Sequence, residues 1–183
     1  MQDRGLEEEL VLLVNERDEP VGTMGKLRAH QEGALHRAFS VFLFDDAGRL
    51  LLQRRAAGKY HSPGLWTNTC CSHPRPSEAV ADAARRRLME EMGIDTAVEH
   101  RFSFLYRAGF DNGLIEHELD HVFFGRWNGD ARPNPDEVDE WTFIHLDELD
   151  AQLTRHPERY TPWLRICWEQ VREALRESAP TTN

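Results

Sequence analysis

The chain lacks any run of about 18 apolar residues that could cross a bilayer. Nothing near its start combines a basic segment with an apolar middle, so no secretion signal is expected. Cysteine is scarce. Its three cysteines, Cys70, Cys71 and Cys167, are a poor basis for a disulfide framework, and adjacent Cys70 and Cys71 are badly placed to pair with each other. Free thiols fit a reducing compartment, so the cytoplasm is the expected location. Positive charge is also short: 22 Lys and Arg stand against 32 Asp and Glu, for a net charge of −10. Such a field favours neither nucleic acid nor an anionic membrane surface, and neither partner is expected. Repeats, low-complexity tracts and internal linkers are missing too. One domain spanning residues 1–183 is expected, monomeric, with flexible ends at 1–9 and 178–183.

What is present is ordinary for a globular domain: 40% apolar and 30% charged residues in a chain of 183, enough for a real core. Leu10–Val14 and Val21–Met24 read as a hairpin around the turn-rich Asn15–Pro20. Phe39–Phe44 and Arg49–Gln53 flank Asp45-Asp46-Ala47-Gly48, a second hairpin turn. Ala56–Leu65, with Gly58, Pro63 and Gly64, reads as a loop. Ser77–Met92 is the clearest helix: Ser77 is a candidate N-cap, Val80, Ala83, Ala84, Leu88 and Met92 fall at helical spacing, and Gly93 ends it. Arg101–Phe110 and Leu114–Phe124 form another hairpin, and Asp139–Leu146 a further strand. Thr161–Glu177 reads as a second helix capped by Thr161, with Pro162 at its first position and a stripe of Trp163, Ile166, Cys167, Val171, Ala174 and Leu175. Hairpins mixed with a few helices indicate a mixed-sheet α/β or α+β domain.

One helix carries an unusual spacing. Glu78 is followed by Arg86, Leu88, Glu90, Glu91, Gly93 and Ile94. This resembles the Nudix box, a loop–helix motif whose glutamates hold divalent cations on a diphosphate. Hard cations prefer carboxylate oxygen and bridge it to phosphate oxygen. Two positions depart from that pattern. Ser72 stands where the box opens with glycine, and Arg87 stands where it places a glutamate after the arginine. Fewer acidic ligands on the helix puts ordinary Nudix hydrolysis in doubt. Without other signals, such a charge run would read as a solvated helix face.

Four further segments narrow the resemblance: Gly25–His30, Leu35–Ser40, Trp66–Pro74 (Trp-Thr-Asn-Thr-Cys-Cys-Ser-His-Pro) and Glu116-His117-Glu118. Together with the helix they resemble the type I isopentenyl-diphosphate isomerases from about Leu10 to Trp168. That resemblance implies a Nudix-like mixed β-sheet sandwiched by helices, with an N-terminal β-hairpin extension. It implies isomerisation of isopentenyl diphosphate to dimethylallyl diphosphate in isoprenoid biosynthesis, and a prenyl diphosphate as the small-molecule substrate. It also makes His30, His36, His73, Glu116 and Glu118 the ligands of one divalent metal. By ligand type, Zn, Mn, Fe or Mg would suit such a set; the resemblance favours Mn²⁺ or Zn²⁺. Glu91 would hold a Mg²⁺ that bridges to the diphosphate, and Lys26, Arg55, Lys59 and Arg87 would bind its phosphates. A lone histidine is more often a surface or hydrogen-bonded core residue, and His61, His100, His117, His121, His145 and His156 take that reading. So do Arg54 and Arg86, as structural or solvated, and Trp66, as structural or pocket-lining.

Moving a double bond by one carbon requires protonating an alkene and removing a proton elsewhere on the allyl unit. The intermediate is a tertiary carbocation, which water would capture. The site therefore needs an acid, a base, a cation stabiliser and a dry cavity. The resemblance makes Cys71 and Glu118 the acid/base pair, with Tyr106 beside the carboxylate and Trp163 as the aromatic face toward the cation. Cys70 is given no chemistry. Which of Cys71 and Glu118 protonates is open at this point. The alternatives are a Nudix pyrophosphohydrolase and a non-catalytic metal or prenyl-diphosphate sensor.

Overall fold

The computed structural model describes residues 9–178. Its elements run β1 (Leu10–Val14), β2 (Pro20–Gly25), α1 (Lys26–Glu32), β3 (His36–Phe44), β4 (Leu50–Arg55), β5 (Trp66–Thr67), β6 (Cys70–Ser72), α2 (Val80–Met92), β7 (Val98–Gly109), β8 (Ile115–Arg126), β9 (Val138–Ile144), α3 (Leu146–Arg155) and α4 (Pro162–Glu177). All nine strands join one mixed sheet. β3 lies at its centre. It runs parallel to β8 from His36↔Glu118 to Phe44↔Arg126, and antiparallel to β6 and β4 on its other side. β1 and β2 form the N-terminal hairpin, joined to β3 at Leu13↔His36.

Successive residues of β3 face opposite ways, and both faces are apolar. Phe42 and Phe44 enter a core with Leu50, Leu52, Val122, Phe124 and the inner face of α4. Phe39, Val41 and Leu43 enter a second core with Ala83, Ala84, Leu88 and Met92 of α2. Helices thus cover both faces of the sheet, as the resemblance implied. Among the described residues, no helix is long and apolar enough to cross a membrane.

Several local expectations change. α2 starts at Val80, with Ala79 at its N-cap and no side-chain cap. Ser77 does not cap it because Glu78 closes a separate turn: its N–H donates to the Arg75 carbonyl and its carboxylate accepts from the Arg75 N–H, each at 3.0 Å. Thr161 likewise makes no cap bond; its hydroxyl is buried against Thr67 at 2.9 Å. The stripe of α4 is rotated. Leu164 and Trp168 are buried, whereas Ile166 is 47% exposed. α1 and α3 were not among the expected elements. α3 buries only Leu149 fully, but Leu146, Leu149 and Leu153 fall at helical spacing and pack on the α4 core, which was the available signal. Of the ends expected to be flexible, Glu9 pairs with Lys26 through backbone and side chain, and Ser178 Oγ donates to the Ala174 carbonyl and accepts from Arg101. The remaining residues, 1–8 and 179–183, lie outside the described residues.

The segment between β5 and β6 shows why its residue types matter. β3 and β4 pair only at Phe44↔Leu50 and then separate. Asn68 and Thr69, both fully buried, fill the gap. Thr69 Oγ1 accepts from the Leu43 N–H at 2.9 Å and donates to the Leu51 carbonyl at 2.6 Å. Asn68 Nδ2 donates to the carbonyls of Val41 at 3.1 Å and Cys70 at 2.8 Å. Leaving such backbone groups unpaired would cost about 1–3 kcal/mol each. The two polar side chains therefore fix the short β6, and with it the direction of its cysteines. Cys70 faces the α2 core. Cys71 faces the opposite core and the pocket beside it.

Candidate active site

One pocket gathers most of the residues singled out from the sequence: Lys26, Arg55, Lys59, Cys71, His73, Arg87, Glu91, Tyr106, Glu116, Glu118 and Trp163. His30 and His36 are fully buried beside it. Strand alternation delivers the acidic set. Glu116, Glu118 and Asp120 occupy every second position of β8 and share one face, the face on which Tyr106 of β7 lies opposite Glu118. His36 of β3 lies opposite Glu118 on its other side.

Three imidazoles converge on one carboxylate oxygen. Glu118 Oε1 is 2.9 Å from His73 Nε2, 3.3 Å from His36 Nε2 and 3.9 Å from His30 Nε2. Two of these rings have their tautomer set by backbone. His36 Nδ1 contacts the Ala34 carbonyl and His30 Nδ1 the Lys26 carbonyl, each at 2.8 Å. A carbonyl only accepts, so both Nδ1 atoms carry a proton, and both rings face Glu118 through Nε2, the atom through which they could take a metal. α1 makes this possible for His30, since Lys26 and His30 are one helical turn apart and Gly33 ends the helix in the left-handed region, φ 65°.

The His30 Nε2 atom is buried with no hydrogen-bond partner, and His36 and His73 bring Nε2 atoms to 3.2 Å. Roughly 3–3.5 Å is the spacing of ligands about 2.1 Å from one tetrahedral ion. An orphaned nitrogen among converging donors fits a divalent cation, and the ligand atoms of His30, His36, His73 and Glu118 all lie within 4.8 Å of one another. The fifth expected ligand stands one step away. Glu116 groups with His30 and His61 instead.

Electrostatics distinguish the two glutamates. Burial alone would raise the Glu118 carboxyl, but its three imidazole partners hold it well below the ordinary range. Burial and the Glu118 charge push Glu116 well up, with Tyr106 and Arg55 only partly offsetting them. Tyr106 Oη lies 2.9 Å from Glu116 Oε2 and 2.6 Å from Glu118 Oε2. A single hydroxyl proton cannot satisfy two carboxylates. A neutral Glu116 removes the conflict, because its own O–H then donates to the tyrosine oxygen. Burial pushes the Tyr106 hydroxyl and the Cys71 thiol up, so both keep their protons; nearby Arg55 offsets this only partly for Cys71. Burial takes His73 down to about 4 against the pull of Glu118.

Four cations, Lys26, Arg55, Lys59 and Arg87, line the same pocket. Arg87 pairs with Glu90 and Glu91 at 2.7 Å each and with Glu137 at 3.2 Å. Lys59 also pairs with Glu137. Glu91 is 4% exposed, and its second oxygen accepts from Gln53 at 3.0 Å. Lys26 Nζ pairs with Glu9 at 3.1 Å. The Arg55 guanidinium lies 5.2 Å from the Trp163 ring centre. Arg54 and Arg86 pair with Glu140 and Glu78, and neither lines the pocket. Trp66 packs against the α4 core.

Several residues that line or border the site were given no role from the sequence, among them Asp120, Glu137 and His61. Asp120 is 1% exposed and accepts from Ser40 at 2.8 Å; it continues the alternation of Glu116 and Glu118, which was the available signal. Glu137 bridges Lys59 and Arg87, and no local pattern marks it. His61, read as an ordinary histidine, lines the pocket with Nε2 3.3 Å from Glu116 Oε1. Burial and the Arg55 charge press its imidazole down to about 2, so it is neutral.

A mixed sheet between helices, with α2 carrying Arg87 and Glu91 into a pocket of cations and carboxylates, defines a NUDIX-domain protein. The NUDIX domain family matches residues 34–165. The crystal structure of DR0079 from Deinococcus radiodurans shares the fold, with a TM-score of 0.72 at 22% identity, covering 91% of this chain and 99% of that one. Isopentenyl-diphosphate Delta-isomerase 2 of Aromatoleum aromaticum is 60% identical over 166 residues, covering 90% of this chain and 87% of that protein. Isopentenyl-diphosphate Delta-isomerase 2 of Photorhabdus laumondii is 51% identical over 158 residues, covering 86% and 89%. The chain belongs to the isopentenyl-diphosphate Delta-isomerase family.

Proposed function

We propose that this chain isomerises isopentenyl diphosphate to dimethylallyl diphosphate by an allylic 1,3-proton shift, with Cys71 and Glu118 as its acid/base pair. The carrying observation is their placement. Cys71 comes from β6 and Glu118 from β8, strands that pair with opposite edges of β3, and both side chains line one pocket. Burial holds the proton on Cys71, while the imidazoles around Glu118 favour its charged form. One proton added to the alkene terminus and one removed across the allyl unit leave the formula unchanged, so no oxidant or co-reactant is needed. Tyr106 orients Glu118 through its 2.6 Å hydrogen bond. Trp163, 2% exposed, excludes water and offers an indole face worth about 0.5–2 kcal/mol to a nearby cation.

Lys26, Arg55, Lys59 and Arg87 would bind the diphosphate, exchanging carboxylate partners for phosphate oxygens. His30, His36, His73, Glu116 and Glu118 would hold one divalent metal, Mn²⁺ or Zn²⁺, and Glu91 would hold Mg²⁺. When bound, these ions fix the Glu118 carboxyl, favour its charged form, and neutralise phosphate charge. The reading includes a cytoplasmic location, which the free thiols support, and a monomer.

The deciding assay supplies isopentenyl diphosphate with Mg²⁺ and Mn²⁺ or Zn²⁺, then measures both the isomer ratio and released phosphate. The expected result is dimethylallyl diphosphate with no phosphate release. Phosphate release without isomerisation would make the chain a hydrolase and overturn the proposal.

A further inference from the structure

His61 sits where three parts of the site meet. Its Nε2 lies 3.3 Å from Glu116 Oε1, and its carbonyl accepts from Arg55 Nη2 at 3.2 Å. Its ring packs edge-on to Trp163 at 5.8 Å. Phe110 and Tyr60 enclose the ring further, with centroids at 5.3 and 4.5 Å.

The loop that carries it is pinned. Arg55 N–H donates to the Leu65 carbonyl at 2.9 Å, and Gly64 N–H donates back to the Arg55 carbonyl at 3.0 Å. Asn112 Nδ2 holds the Tyr60 carbonyl at 2.9 Å. Ser62, the next residue, has φ 48°, a conformation that costs a non-glycine residue free energy and persists only where its surroundings enforce it. A buried, polar, tightly enclosed side chain in such a loop is held in one orientation.

Glu116 is the least settled member of the expected metal set. Tyr106 grips its Oε2 and draws it toward Glu118. His61 faces its Oε1. Among the described residues, the polar side chains that meet this carboxyl are Tyr106, hydrogen-bonded to Oε2, and His61, 3.3 Å from Oε1, so these two flank its plane. Metal-binding carboxylates are themselves held by outer hydrogen bonds, and loss of such a partner typically weakens metal binding 10–100-fold.

We propose that His61 is a positioning residue for Glu116, setting the carboxyl angle at which the cluster of His30, His36, His73 and Glu118 recruits its fifth ligand. This rests on the metal set of the proposed function, not on the isomerisation itself.

The test uses the full chain stripped of metal and reloaded with Co²⁺, whose visible absorption reports ligand number and geometry. Affinity is read by competition with a coloured chelator. His61→Phe keeps the packing against Tyr60, Phe110 and Trp163 but removes the nitrogen. His61→Gln keeps a donor that can reach Glu116. The expected result is Co²⁺ affinity lower by about tenfold or more in His61→Phe, with an altered spectrum and an unchanged metal-free melting temperature. His61→Gln should recover most of both. Affinity and spectrum unchanged in His61→Phe, or equal loss in His61→Gln, would overturn the proposal. Failure of the isomerisation assay with these metal results intact would count against the proposed function alone.

Discussion

Cys71→Ala is expected to lower the isomerisation rate by at least about 10²–10⁴-fold, the range a positioned acid or base contributes. Folding and metal loading should survive. The thiol is half-buried at the pocket wall, and loss of one sulfur there should cost on the order of 1 kcal/mol of stability. Cys70 should not rescue the variant. Consecutive strand residues face opposite ways, and Cys70 is fully buried in the core under α2. Turnover of the variant, measured beside its melting temperature, checks this. Activity within tenfold of the parent would remove Cys71 from the mechanism.

Glu118→Gln should produce a comparable fall in kcat, again about 10²–10⁴-fold, with KM for the diphosphate changed only a few-fold. The shape is conserved but the charge is not. An amide cannot exchange a proton with carbon, and it cannot balance three imidazoles around Oε1 while receiving the Tyr106 hydroxyl on Oε2. The cations proposed to bind the phosphates belong to other elements: Lys26 to α1, Arg55 to β4, Lys59 to the loop after it and Arg87 to α2. They would be left in place. Steady-state kinetics at saturating metal separate the two effects. A large rise in KM at normal kcat would place Glu118 in binding instead.

Much of this site is legible because strand periodicity is a strong signal. Glu116 and Glu118, two apart, had to leave one face of any strand, and β8 confirms that face. The same rule reached Asp120 but was not carried one step further. The buried Asn68 and Thr69 were legible as a motif, although their work of bridging β3 and β4 depends on a gap between strands that no local pattern encodes. His61 was not legible. A histidine in a loop between Gly58 and Gly64 looks like surface chain; what turns it inward is the long-range hold of Asn112 on Tyr60 and of Arg55 on the loop. Glu137 is missed for a similar reason, since its partners Lys59 and Arg87 are 78 and 50 residues away. Helix starts failed where side chains found tertiary work. Thr161 spends its hydroxyl on Thr67 instead of capping α4, and the turn that Glu78 closes with Arg75 leaves Ser77 outside α2.

The central claim is that two residues, each able to exchange its proton with water, serve the two ends of one allyl unit. Turnover in heavy water tests it most directly, with the product and recovered substrate analysed by NMR and mass spectrometry. The account predicts solvent deuterium in dimethylallyl diphosphate and, through the reverse reaction, in recovered isopentenyl diphosphate. Product formed at full rate with no deuterium would mean a single shielded group carries the same proton across, and would contradict the account.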